Sequence, residues 1–400
     1  MGPNKPHNGI AVTGMGIISA IGHTVEDHRT SLMASKSGIS TISNFKTAHA
    51  NSIKVGEIKK TNLELSKALN LPENHNYTRT ALLGCIAVKE ALAQANISDV
   101  FNYKTGLISA TTVGGMDKSE LHFPDFNSSK NAEKYISSHH AGDSSNKIAN
   151  YFNITEFVTT ISTACSSATN AIMLGARLIR SGQLDRVIVG GTDPLCKFTI
   201  NGFKSLMILS DEICAPFDAN RKGLNLGEAG AFLILESERA RQDKPVLAYV
   251  SGYGNANDAF HQTASSENGD GAFLAMQKAL KLAKLQPEHI DYINAHGTAT
   301  VNNDSSESAA IKRLFTQVPK FSSTKAFTGH TLATAGAVEA IISILAIQEQ
   351  AVFPNLNFKN PIPELGLIPE TKLVSAKINH VLSNSFGFGG NCSTLILSKA

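Results

Sequence analysis

Short apolar, β-branched runs that end in glycine or other small residues alternate along the chain with longer stretches of helical period. Runs 10–18, 106–113, 158–162, 186–191 and 231–235 predict strands in a first part. Runs 246–253, 290–295, 320–323, 381–385 and 394–397 predict strands in a second. Between them, apolar residues recur at three- and four-residue spacing over 80–95, 166–181, 271–285, 305–315 and 335–348, which predicts helices. Strand–helix alternation over this length predicts an α/β protein with buried, mostly parallel sheets. A short internal echo supports two similar halves: Val12-Thr13-Gly14-Met15-Gly16 resembles Val250-Ser251-Gly252-Tyr253-Gly254. The charged, proline-ended seam 238–245 is the natural boundary, giving halves 1–240 and 241–400. No Gly/Ser-rich linker separates them, so a shared interface is expected.

Composition narrows the class. Of the 400 residues 42% are hydrophobic and 17% charged, enough for a large core and too little charge for a disordered chain. Lys+Arg 36 against Asp+Glu 33 leaves +3, with no long run of one sign, so no nucleic-acid footprint is expected. The five cysteines, at 85, 165, 196, 214 and 392, form no C-x-x-C pair. That argues against a disulfide framework and a zinc site, and fits a reducing compartment. Met1 to His7 is polar and proline-broken, and no stretch reaches the roughly 18 apolar residues of a membrane span. A cytoplasmic protein without membrane contact is expected.

The chemistry concentrates in three places. In Ile161-Ser162-Thr163-Ala164-Cys165-Ser166-Ser167-Ala168 an apolar strand stops in small residues and a helix follows. Free backbone N–H groups and the positive end of a helix dipole there favour thiolate, which makes Cys165 the candidate nucleophile. Cys85 and Cys392 read as structural, in an apolar helix and at the start of the last strand. Cys196 and Cys214 read as loop residues with no helix starting after them. Two of the thirteen histidines close strands in small-residue turns: Asn294-Ala295-His296-Gly297-Thr298-Ala299-Thr300, and Ser322-Ser323-Thr324-Lys325-Ala326-Phe327-Thr328-Gly329-His330. With Cys165 they make sense as one site, a thiolate holding an acyl group and imidazole N–H groups stabilising an oxyanion. Lys325 and Glu339 could orient or tune the histidines, or form a surface ion pair. Ser383-Asn384-Ser385-Phe386-Gly387-Phe388-Gly389-Gly390 lies between two strands with no helix after it, so it suits a tight, mobile loop rather than a phosphate cradle.

These motifs, T-A-C-S-S around Cys165, N-A-H-G-T around His296, S-S-T-K-x-x-T-G-H ending at His330 and N-S-F-G-F-G-G around Phe388, resemble the β-ketoacyl-acyl-carrier-protein synthases of the I/II type, in order, from Val12 to Leu397. The resemblance implies a thiolase-like fold, two similar halves in a five-layered α-β-α-β-α sandwich, normally dimeric. It implies that Cys165 accepts the acyl group, that His296 and His330 assist decarboxylation of a malonyl unit, and that Lys325 and Glu339 support them. It further implies that the backbone N–H groups of Phe388 and Cys165 form the oxyanion hole. Thr298 and Thr300 would hold the pantetheine arm, and Val113 would line the acyl pocket. Substrates would arrive on the phosphopantetheine of an acyl carrier protein or coenzyme A, with no metal and no further cofactor.

The chain departs from the pattern in places. Met207 stands where an arginine often serves carrier docking, with Lys204 nearby. Gly227-Glu228-Ala229-Gly230 replaces G-E-G-A, and Asn391-Cys392 replaces T-N. Segment 200–217 looks more like the synthases of aryl polyene and flexirubin-type pigment clusters, in which a cysteine-less partner subunit is common. The rivals are a thiolase, which needs a second active cysteine, and a non-catalytic chain-length factor, which lacks the nucleophile.

Overall fold

The computed structural model describes residues 9–400, so the polar start Met1–His7 lies outside the described residues. Ten strands form the main sheet: β1 (Ile10–Ile18), β2 (Thr105–Ala110), β3 (Phe157–Ile161), β4 (Arg186–Asp193), β5 (Ala229–Glu236), β6 (Ala248–Asn257), β7 (Tyr292–Asn294), β8 (Lys320–Ser322), β9 (His380–Phe386) and β10 (Asn391–Ser398). The helices that position the site are α1 (Arg79–Gln94), α2 (Gly142–Tyr151), α3 (Ser167–Arg180), α4 (Lys197–Ser205), α5 (Asp270–Ala283), α6 (Val301–Leu314), α7 (Lys325–Thr328) and α8 (Ala335–Glu349).

The strand order is β8-β7-β9-β10-β6-β1-β5-β4-β2-β3. Each set of five, β1–β5 and β6–β10, runs in the order first, fifth, fourth, second, third. Orientations match as well: the first three strands of each set are antiparallel and the outer pairs parallel. The sets meet where Ile10–Val12 of β1 pairs antiparallel with β6. The sheet is therefore mixed, which corrects the expectation of mostly parallel pairing. The reason is local: β9 and β10 are joined by a short glycine loop, too short for a crossover helix, so they must run antiparallel.

Helices α1 and α2 cover the outer face of the first set, and α5 with α6 that of the second. Helices α3 and α8 lie between the sets and touch strands of both. The result is a thiolase-like sandwich of five layers, α-β-α-β-α. Gly14 and Gly16 of β1 let α1 lie directly on the strand; a Cβ on Gly16 would sit 2.0 Å from the Ala87 carbonyl oxygen. Gly254 of β6 does the same for α5, with 2.1 Å to the Ala275 carbonyl oxygen. The sequence echo is thus a repeated packing device. Among the described residues, Leu332–Glu349 is the one helix long and apolar enough to cross a membrane, contrary to the expectation that no stretch would be. It is the middle layer of the core, 89% buried, and apolar all round because both faces meet a sheet.

Candidate active site

Strand β3 ends at Ile161 and α3 begins at Ser167, and Cys165 sits on the turn between them. Ala164 adopts φ +52°, which turns the chain sharply and aims the next side chain away from the sheet. Ser166 and Ser167 brace the turn: Ser166 Oγ lies 2.7 Å from both the Thr163 carbonyl oxygen and Asn391 Oδ1, which share its one proton, and Thr163 N–H donates to Ser167 Oγ at 2.8 Å. Burial pushes the Cys165 thiol up to about 11, against the opposing pull of the Lys325 charge and the backbone N–H groups of Phe388 and Cys165 itself. Burial thus works against the thiolate that the backbone N–H groups and the Lys325 charge favour.

His296 follows β7. Its backbone N–H and that of Gly297 each donate to the buried Glu307 carboxylate of α6 at 2.8 Å. His330 follows α7, with its N–H donating to the Asn225 carbonyl at 2.7 Å and its carbonyl accepting from Gly227 at 2.9 Å. The two rings are perpendicular, with centroids 5.4 Å apart. Cys165 Sγ and one nitrogen of each ring lie within 4.8 Å of one another.

Lys325 opens α7 and points inward. Its Nζ lies 3.2 Å from His296 Nδ1, donates to the His296 carbonyl at 2.5 Å and pairs with Glu339 of α8. The pair is buried, so the surface ion-pair reading fails. Burial raises the Glu339 carboxyl to about 7, while Lys325 pulls it back. Burial first, then the Lys325 charge, holds both histidines well below their ordinary value, so both are neutral at neutral pH. An ammonium can only donate, so His296 Nδ1 accepts from Lys325 and the ring proton belongs on Nε2. His330 Nδ1 likewise accepts from the Leu332 N–H at 3.1 Å. Both imidazoles are thus prepared as N–H donors. The Cys-His-His spacing could also suit a metal ion, but the Lys325 ammonium beside His296 repels a cation and favours an anion there.

The glycine loop closes the site. Gly387 packs so closely on the cysteine turn that a Cβ would fall 2.9 Å from the Thr163 carbonyl oxygen. Gly389 and Gly390 take φ +80° and +78°, which lets the chain turn back into β10 after Phe388. The Phe388 ring stacks on Phe203 of α4, centroids 6.0 Å apart. A cavity of about 350 Å³ leads to Cys165, His296 and His330, lined further by Thr298, Thr300 and Phe388.

The Beta-ketoacyl synthase, N-terminal domain family matches residues 7–240, and the Beta-ketoacyl synthase, C-terminal domain family matches residues 247–359. A curated relative, 3-oxoacyl-[acyl-carrier-protein] synthase 2 of Staphylococcus aureus, is 31% identical over 407 residues, covering 98% of each chain. Among solved structures, a ketosynthase in complex with its chain length factor from Xenorhabdus doucetiae is 31% identical, with a TM-score of 0.88 over 100% of both chains. The ishigamide ketosynthase/chain length factor is 29% identical, with a TM-score of 0.90 over 98% of this chain and 99% of that one. The chain belongs to the β-ketoacyl synthase family. It is a condensing enzyme of the acyltransferase class, and the family match does not favour the thiolase alternative.

In this β-ketoacyl synthase the fold brings together Cys165, His296, His330, Lys325, Glu339 and Phe388, with Thr298 and Thr300 hydrogen-bonded to each other at 2.8 Å on the cavity wall. Val113 is not among the residues lining that cavity. It sits on the turn after β2, where Asp193 accepts from the N–H groups of Thr112 and, at 2.9 Å, of Ala333. Cys196 caps the start of α4, contrary to the expectation that no helix follows it, but burial holds its thiol at about 12 and it does not line the cavity that leads to Cys165. Sequence reasoning missed Asp304 and Glu307. Asp304 accepts from the Phe217 N–H at 2.7 Å and the Ala299 N–H at 3.2 Å, and so supports the Thr298–Thr300 loop as Glu307 supports His296. The signal was there: both lie on the buried face of α6 with Ser308 and Ile311, and carboxylates at core positions need partners.

Proposed function

We propose that this enzyme catalyses decarboxylative condensation of an acyl group held on Cys165 with a malonyl unit carried by acyl carrier protein. The observation that carries the reading is the meeting of one thiol and two neutral imidazole donors at the end of a single cavity. The thiol attacks the incoming acyl thioester, the oxyanion rests between the N–H groups of Cys165 and Phe388, and the pantetheine thiol leaves with the proton. A malonyl thioester then enters along Thr298 and Thr300. Its carboxylate departs as carbon dioxide, and the electron pair moves into the thioester, whose oxygen His296 and His330 stabilise. The resulting carbanion attacks the Cys165 thioester, and the sulfur leaves as thiolate to regain a proton from solvent. Lys325 and Glu339 keep the imidazoles neutral and aligned. Loss of carbon dioxide drives bond formation, so no cofactor beyond the carrier's phosphopantetheine is needed.

We read the chain as two catalytic halves, 1–240 with the nucleophile and 241–400 with both histidines; the identical strand order of the two five-strand sets supports this division. We assign Val113 to the acyl pocket, supported by the Asp193 link from its turn to Ala333, three residues beyond His330. The partners are an acyl carrier protein, named in the Staphylococcus relative's activity, and a second subunit, a copy of this chain or a synthase-like partner. Likeness to ketosynthases solved with chain length factors supports the latter, and the resemblance of segment 200–217 to pigment synthases supports an aryl polyene-type product rather than a general fatty acid. The enzyme works in the cytoplasm. Intact-protein mass spectrometry with acyl and malonyl carrier thioesters tests the reading: an acyl adduct on Cys165 followed by a product two carbons longer is expected, and no adduct overturns it.

A further inference from the structure

We propose that Asn391 is a positioning residue for acyl transfer, whose side-chain carbonyl ties the glycine loop to the cysteine turn and so sets the spacing of the two oxyanion-hole donors. The inference rests on the assignment of Cys165 as acyl acceptor. The two donors come from separate segments, the Cys165 N–H from the turn before α3 and the Phe388 N–H from the loop between β9 and β10. Their distance is set by whatever joins those segments. Asn391 Oδ1 lies 2.7 Å from Ser166 Oγ, the residue beside the nucleophile, and accepts from Asn170 Nδ2 of α3 at 2.9 Å. It also accepts from Asn255 Nδ2 of β6 at 2.9 Å.

The partners are themselves fixed. Asn170 Nδ2 also donates to Thr163 Oγ1 at 2.9 Å, and Ser393 Oγ donates to Asn170 Oδ1 at 2.8 Å. Asn255 Nδ2 lies 2.9 Å from Ser393 Oγ. Meanwhile the backbone carbonyl of Asn391 accepts from the Gly387 N–H at 2.9 Å and closes the loop around Phe388. One residue therefore holds the loop with its main chain and the nucleophile turn with its side chain. Threonine, the usual residue in the matching motif, is shorter and lacks a carbonyl.

The test is the rate of Cys165 acylation, followed by rapid quench and intact-protein mass spectrometry over a range of acyl-carrier concentrations. A misplacement of about an ångström costs up to roughly 100-fold in rate. Asn391→Ala is therefore expected to lower the maximal acylation rate about 10- to 100-fold, with the half-saturating carrier concentration within about twofold. Asn391→Asp, which keeps an accepting oxygen in place, is expected to recover most of that loss. An unchanged rate in Asn391→Ala, a loss confined to half-saturation, or equal losses in the alanine and aspartate variants would each overturn the proposal. If the alanine variant does not fold, Asn255→Ala is read instead: a smaller fall in rate at unchanged half-saturation supports the proposal, and no fall overturns it. Failure of the unmutated enzyme to acylate at all defeats the assignment of Cys165, and is seen separately in the same experiment.

Discussion

Cys165 lies on the cavity wall with burial opposing its ionisation, and its reactivity follows from that. With burial pushing the thiol up to about 11, the thiolate fraction grows tenfold with each unit by which the pH rises toward that value. Alkylation of Cys165 by iodoacetamide is expected to rise about tenfold per unit from pH 7 to pH 9, measured by mass spectrometry of the labelled peptide; a plateau below pH 8 would contradict the burial argument. Cys165→Ala is expected to abolish acyl-enzyme, whereas His330→Ala keeps substantial self-acylation and loses condensation, because the histidine's work follows loading. Lys325 contributes in two ways. Lys325→Met leaves the Glu339 carboxylate buried without its partner, a change that typically costs about 3–5 kcal/mol in denaturant titration. It also removes a charge that lowers both histidine pKa values, so the acid limb of the pH–rate profile is expected to move to higher pH. Val113→Phe is expected to exclude long acyl chains and spare short primers. Overpacking of about 1–3 kcal/mol corresponds to roughly 5- to 150-fold in binding.

At the scale of elements, the site is made where strands hand over to helices: β3 to α3 for the nucleophile, and the segments after β7 and β8 for the histidines. These junctions stay in place because the helices lie hard against the sheet, and glycine permits that approach. Gly16→Val puts carbon into the Ala87 carbonyl on α1 and is expected to destabilise the protein by at least about 1–3 kcal/mol in denaturant unfolding. Gly202→Ala makes the contrasting case. It lies within α4 with nothing within 4 Å of a new Cβ, so a stabilisation of about 0.4–1 kcal/mol is expected. Equal effects of the two changes would refute the close-packing account of the strand glycines.

For the whole molecule, the repeated strand order explains how one polypeptide supplies a nucleophile from one five-strand set and both histidines from the other. The middle layer, α3 and α8, carries Asn170 and Glu339 near the starts of its two helices, both beside the site, so the two halves cannot separate without dismantling it. Oligomeric pairing is open to direct measurement. Native mass spectrometry of the enzyme co-expressed with a cysteine-less homologue separates a homodimer from a heterodimer, and a one-to-one complex that extends polyene chains supports the pigment reading. A homodimer that ignores the partner and elongates saturated chains alone would remove the pigment assignment.

Period and punctuation in the sequence by itself determined the ten strands, five of the helices and the motifs around the site, because strand alternation, small-residue turns and four ordered motifs are local signals. Cys165, His296, His330 and the loop at Phe388 were legible for that reason. The tertiary structure decided what depends on residues far apart in sequence. It made the sheet mixed, because strand direction follows from the connections and not from the strands. It turned Lys325 and Glu339 from a possible surface pair into a buried one, since both helix starts point to the middle layer. It set burial against ionisation of Cys165, because desolvation is set by everything packed around that residue. And it joined Asn391 to Ser166 across 225 positions of sequence, a contact that no local pattern encodes.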